Sequence, residues 1–183
     1  QQQWRMKSSD MLHFTKEELV IGERPAGASP DFRDPKVTWA DGRWQMMLGS
    51  ALEGKAAVLK YESEDMESWE YTGPLLTEEE DGIRCVECPD FMELDGKYLV
   101  IGALMHHQDP FGRYQMSRYH VGDFKEGIFT EESRGWFDFC GNCYAMQSFE
   151  HDGRRISIGW ISDFYGEHQE EENGVCGSMT IPR

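Results

Sequence analysis

A chain of 183 residues with 39% hydrophobic and 13% aromatic side chains is long enough to bury one ordinary core and too apolar for a disordered segment. Acidic residues outnumber basic ones 34 to 18, a formal charge of -16, so nucleic acid is repelled over most of the surface and is not expected as a partner. The longest apolar run, Tyr98 to Met105, is too short to span a bilayer as a helix, so no membrane partner is expected either.

In chain order, the first stretch offers Ser9-Asp10-Met11 and then Thr15 to Val20, where the pattern allows a helical turn or two. From there the signals are of short strands joined by tight turns. Asp41-Gly42, Asp95-Gly96 and Asp152-Gly153 recur at intervals of 54 and 57 residues, each between two strand-like runs, and each reads as a hairpin. Ser9-Asp10-Met11, Glu64-Asp65-Met66 and Gly122-Asp123-Phe124 keep nearly the same step, at 55 and 58 residues. Two features with one period argue for a true repeat. Each period holds about four strands, roughly 35 to 40, 44 to 50, 56 to 62 and 69 to 72 in the first.

Four-stranded units repeated radially are the plan of a β-propeller blade, so the fold class is all-β. The bland alternative is a β-sandwich whose hairpins happen to be evenly long. In a propeller the first strand of each blade lines the central channel. Asp34, Glu87 and Tyr144 stand 7, 8 and 8 residues ahead of their Asp-Gly turns, which predicts that they share its mouth.

Other chemistry-bearing stretches are weaker. Cys85-x-x-Cys88 and Cys140-x-x-Cys143 have the form of zinc knuckles, which leaves a zinc-stabilised interaction domain as one reading. Fifty-one residues separate the pairs, far more than a zinc ribbon's roughly 15 to 20. No metal or other cofactor is therefore expected. His106-His107-x-Asp109 reads as a loop between the second and third strands of its unit, and the runs Glu78 to Asp81 and Glu170 to Glu172 as solvated loops. An odd count of five cysteines points to a reducing, cytoplasmic compartment, or to a secreted protein if a signal peptide precedes Gln1.

The motif Phe32-Arg33-Asp34-Pro35, followed by Cys85-Val86-Glu87-Cys88-Pro89-Asp90-Phe91, resembles glycoside hydrolase family 32, the β-fructosidases. The likeness runs on through Phe137-Asp138-Phe139, Tyr144-Ala145-Met146-Gln147, Gly159-Trp160 and the segment from Gly177 to Arg183. It implies part of a five-bladed propeller: 1–30 the tail of blade 2, 31–84 blade 3, 85–140 blade 4 and 141–183 an incomplete blade 5. It also implies retaining hydrolysis of fructose-containing oligo- or polysaccharides, such as sucrose, sucrose 6-phosphate, inulin or levan. Glu87 is then the general acid/base and Asp34 the transition-state stabiliser. Arg33, Asn142, Tyr144 and Trp160 contact the sugar, although many family members carry aspartate at the place of Asn142.

The family's nucleophile motif, Trp-x-Asn-Asp-Pro-Asn-Gly, does not occur in the chain, and Asp10, Asp65 and Asp123 belong to the outer-strand series. The expectation is therefore that further blades come from the same or another chain, and that residues 1–183 alone are inactive. The alternative is a non-catalytic or degenerate carbohydrate-binding propeller.

Overall fold

The computed structural model describes residues 1–139, 143–162, 174 and 177–183, and among them every regular element is a β-strand. A small sheet pairs β1 (Gln3–Arg5) with β2 (Glu18–Ile21). A four-stranded meander follows, β3 (Ala28–Ala40), β4 (Arg43–Leu52), β5 (Lys55–Ser63) and β6 (Glu70–Thr77), hydrogen-bonded in chain order. A second meander repeats the plan with β7 (Cys85–Leu94), β8 (Lys97–Met105), β9 (Ser117–Lys125) and β10 (Ile128–Trp136). The last sheet is β11 (Cys143–His151), β12 (Arg154–Ile161) and the short β13 (Ser178–Met179). These meanders are blades, and the chain is a partial β-propeller.

The Asp-Gly pairs do what their chemistry favours. Asp41, Asp95 and Asp152 have φ of 53°, 52° and 50°, and the glycines after them are also left-handed, as the tightest hairpin turn requires at both positions. Glu53-Gly54 and Glu126-Gly127 make the same turn with glutamate in place of aspartate, which hid them from a search for Asp-Gly. Thr15 to Val20 forms no helix: its end joins β2, where pairing with β1 satisfies the backbone. Of the second repeated series, read as outer-strand residues, two of the three members lie in loops outside the strands. Asp10 Oδ1 accepts the amides of Leu12 and His13, and Asp65 Oδ1 those of Glu67 and Ser68, each loop closed by Ser8 or Ser63. Asp123 instead lies within β9, paired to Lys97 at 2.9 Å.

Each four-stranded sheet is buried on both faces. Met47, Val58, Val86, Phe91, Val100 and Phe124 fill the space between the first meander and the second. Phe32, Leu48, Leu59 and Tyr61 pack on the far side of the first, towards Ile21, and Met92, Ile101, Cys143 and Met146 lie between the second and β11. Burial on both faces explains why β4 reads as a nearly continuous apolar run rather than an alternating one. The approach is close at Gly49, where an added Cβ would strike the backbone of Val86. The outer strands are defended differently, β6 by Gly73-Pro74 and β10 by an almost wholly exposed run containing Glu131, Glu132 and Arg134. Apolar side chains remain exposed at both ends of the row, Trp4, Met6 and Leu19 at one and Phe149, Ile161 and Met179 at the other.

One loop is not what its composition suggests. Glu78, expected in a solvated acidic run, is 1% exposed and sits between Arg118 Nη1 at 2.7 Å and His120 Nε2 at 3.1 Å. Burial alone would raise its pKa, but the bond from His120 and the charge of Arg118 outweigh burial and hold it below its ordinary value. Glu170 to Glu172 lie outside the described residues. His107 and Asp109 are in the loop between β8 and β9, as their sequence suggests, with Asp109 closing the loop by accepting the amides of Phe111 and Arg113.

Candidate active site

The three inner strands carry the same defect at the same place. Between Arg33 and Lys36 on β3, Glu87 and Asp90 on β7, and Tyr144 and Gln147 on β11, one extra residue is inserted opposite the neighbouring strand. Each insertion is a β-bulge whose next residue is left-handed: Asp34 at φ 58°, Cys88 at 47° and Ala145 at 52°. The bulges therefore align Arg33 with Glu87 and Tyr144, each eight residues ahead of its turn. Counting back from the turns had put Asp34 in that row. It stands one position along, and its strained backbone turns it across the strand.

The aligned residues meet. Arg33 Nη1 donates to Glu87 Oε1 at 2.8 Å, and the phenol of Tyr144 donates to Glu87 Oε2 at 2.5 Å, so side chains from two other strands hold one carboxylate by both oxygens. Burial, followed by the bond to Glu87 and its charge, pushes the Tyr144 pKa well above the ordinary tyrosine range, and the hydroxyl stays protonated as a donor. Asp34 Oδ2 accepts the backbone amide of Cys88 at 2.9 Å and so lies beside the residue that follows Glu87. Burial and then the charge of Asp34 push Cys88 up to about 12, and burial with Glu87 pushes Cys85 up to about 11. Both are therefore thiols rather than thiolates at neutral pH. Cys140 falls outside the described residues.

The next row reinforces the first. Lys36 Nζ lies 3.0 Å from the buried Asp90 carboxylate and donates to the Ser148 carbonyl at 2.7 Å, while the Ser148 amide donates to Asp90 at 2.7 Å. Gln147 Nε2 reaches the Cys88 carbonyl at 2.9 Å. Side chains thus stitch β3, β7 and β11 together just below the carboxylates and fix their relative height.

Of the residues singled out from sequence, Arg33, Asp34, Glu87 and Tyr144 are brought together. Trp160 is half-buried opposite Tyr144 on β12, and Asn142 lies outside the described residues. Arg33 bridges Glu87 to Asp31, and Asp34 takes an amide. Asp31 was missed, although it sits two residues before Arg33 on the same strand face, and so was Arg84, whose Nε reaches Asp31 at 2.9 Å. A separate hollow of about 670 Å³ beside β1 and β2, lined in part by Trp4, Glu23 and Arg24, contains none of these groups.

The constellation supplies a carboxyl group held at both oxygens, a second carboxylate on a neighbouring strand, and a guanidinium between acids. The family described as "Glycosyl hydrolases family 32 N-terminal domain" matches residues 1–183. A sucrose-6-phosphate hydrolase of Bacillus subtilis is 33% identical over 96% of this chain and 40% of its own length. A fructan 1-exohydrolase of Leymus chinensis is 32% identical over 88% of this chain and 30% of its own. A β-fructofuranosidase structure from Bombyx mori superposes with a TM-score of 0.87 at 28% identity, covering 100% of this chain and 41% of that one. The chain thus spans between 30% and 41% of the length of these relatives. On the family match over its whole length, with relatives and fold in accord, this chain belongs to glycosyl hydrolase family 32.

Proposed function

We propose that the protein hydrolyses β-fructosides with retention, by double displacement, with Glu87 as general acid/base. The observation that carries this reading is the hold on Glu87 by Arg33 and Tyr144, two side chains from the aligned bulges of other strands. In the first step Glu87 gives its proton to the leaving oxygen, and in the second it takes a proton from the incoming water. Asp34 stabilises the oxocarbenium-like transition state through fructose hydroxyls, and those bonds help catalysis to the extent that they tighten as charge develops. Tyr144, Arg33, Trp160 and Asn142 form the sugar-contacting wall. The nucleophilic carboxylate is assigned to a segment other than residues 1–183, and further blades cover the exposed apolar faces. The thiols of Cys85 and Cys88 suit a reducing compartment.

The named relatives act on sucrose 6-phosphate and on fructans, which sets the substrate class to test. In the full-length protein Glu87→Gln is expected to slow sucrose or inulin hydrolysis by about 10³-fold with the fold intact, in the range lost with a general acid. An unchanged rate would remove Glu87 from the mechanism.

A further inference from the structure

Beyond the residues that touch Glu87, charges alternate in a line. Arg84 Nε lies 2.9 Å from Asp31 Oδ2 and its Nη2 is 3.5 Å from Oδ1. Asp31 Oδ1 in turn receives Arg33 Nη2, and Arg33 Nη1 lies 2.8 Å from Glu87 Oε1. Asp31 is almost wholly buried, its side chain 7% exposed, while Arg84 is half-exposed at 51%. A buried carboxylate needs compensation, and Asp31 has a guanidinium on each side. The backbone of Arg84 is fixed as well, its amide donating to the Met105 carbonyl at 2.9 Å. Arg33 is the side chain that joins Asp31, and through it Arg84, to Glu87.

We infer that Asp31 and Arg84 are positioning residues that govern, through Arg33, how readily Glu87 gives up its proton. The inference rests on Glu87 being the acid/base. Arg33 is shared between two acids, so the positive charge it presents to Glu87 depends on how much of it Asp31 draws away. Arg84 competes for Asp31 from the other side. Removing the charge of Asp31 leaves Arg33 wholly to Glu87, which favours the carboxylate and holds back its proton-bearing form. Removing Arg84 leaves Asp31 leaning on Arg33 alone, which frees Glu87 from part of that cation. The two substitutions therefore push in opposite directions. Among the described residues the other charged or titratable groups near Glu87 are Asp34 from β3, Tyr144 from β11, and Cys85 and Cys88 on its own strand, and both substitutions leave them in place.

The test is the pH dependence of kcat/KM for sucrose in the full-length protein with Asp31→Asn, Arg84→Gln and Arg84→Lys, beside Glu87→Gln. The basic limb, where the acid must still hold its proton, is expected to move down by about half a pH unit or more in Asp31→Asn and up by a similar amount in Arg84→Gln, the size of a unit charge one guanidinium away. Arg84→Lys, which keeps the charge, should restore the original limb. Limbs that stay put, or move the same way in both variants, would overturn the inference, as would equal loss at every pH with a lower Tm, the mark of a structural role. Should Asp31→Asn fail to fold, the half-exposed Arg84 pair still decides it. If Glu87→Gln retains full activity, the acid/base reading itself fails, and the inference with it.

Discussion

The carboxylate of Asp34 accepts the backbone amide of Cys88 at 2.9 Å, so the bulge of one inner strand is clasped by the bulge of the next. Asp34 can do this because its left-handed backbone, φ 58°, swings the side chain across the gap, and aspartate and asparagine tolerate that conformation better than alanine. Asp34→Asn, which keeps an acceptor oxygen, is expected to unfold at nearly the original urea concentration while losing about 10²-fold or more in activity. Asp34→Ala is expected to lose the same activity and also about 2 kcal/mol of stability, from an orphaned amide and a strained alanine. Urea unfolding of the two variants side by side separates the roles.

Gly49 pairs with Arg33 across β3 and β4 and faces the backbone of Val86, the residue before Glu87. A methyl group there has no room unless β7 shifts. Gly49→Ala is expected to cost about 1 to 3 kcal/mol, as overpacking does. Displacing Glu87 should also cut kcat by about 10²-fold, the penalty of a misplaced catalytic group. Thermal unfolding and steady-state kinetics measured together check both.

Glu78 links pH to stability. Its folded pKa lies below the ordinary 4.5, so its contribution is complete above that pH and fades as pH falls through the lower folded value. Urea midpoints for the native chain are expected to drop below about pH 4.5 more steeply than those of Glu78→Gln. At neutral pH Glu78→Ala is expected to cost about 1 to 3 kcal/mol, because it removes one partner each from the buried Arg118 and His120, which keep Glu80 and Glu131.

The thiols of the site should be inert in the folded protein. With Cys88 at about 12 and Cys85 at about 11, iodoacetamide at pH 8 is expected to label both at least about 10²-fold more slowly than an exposed cysteine. Unfolding in urea should restore ordinary reactivity, which peptide mass spectrometry reads residue by residue.

Much of this was legible in the residues themselves, because Asp-Gly turns and short apolar runs act locally. The three Asp-Gly hairpins and the repeat they mark needed only backbone chemistry and counting. What escaped depends on partners far along the chain. The acidic run at Glu78 looks solvated until Arg118 and His120, some forty residues later, fold onto it. Arg84 and Asp31 are fifty-three residues apart, and nothing local says that they pair. The one-residue error at Asp34 has a different origin. A bulge adds a residue without changing composition, and counting back from the turn ran straight through it.

The most direct measurement is the rate of the full-length Glu87→Gln variant on sucrose set against its rate on an aryl β-fructoside whose leaving group needs no proton. If Glu87 is the acid, sucrose hydrolysis falls by about 10³-fold while departure of the activated group is slowed far less. Equal losses on both substrates, or none on either, would contradict the role given to Glu87.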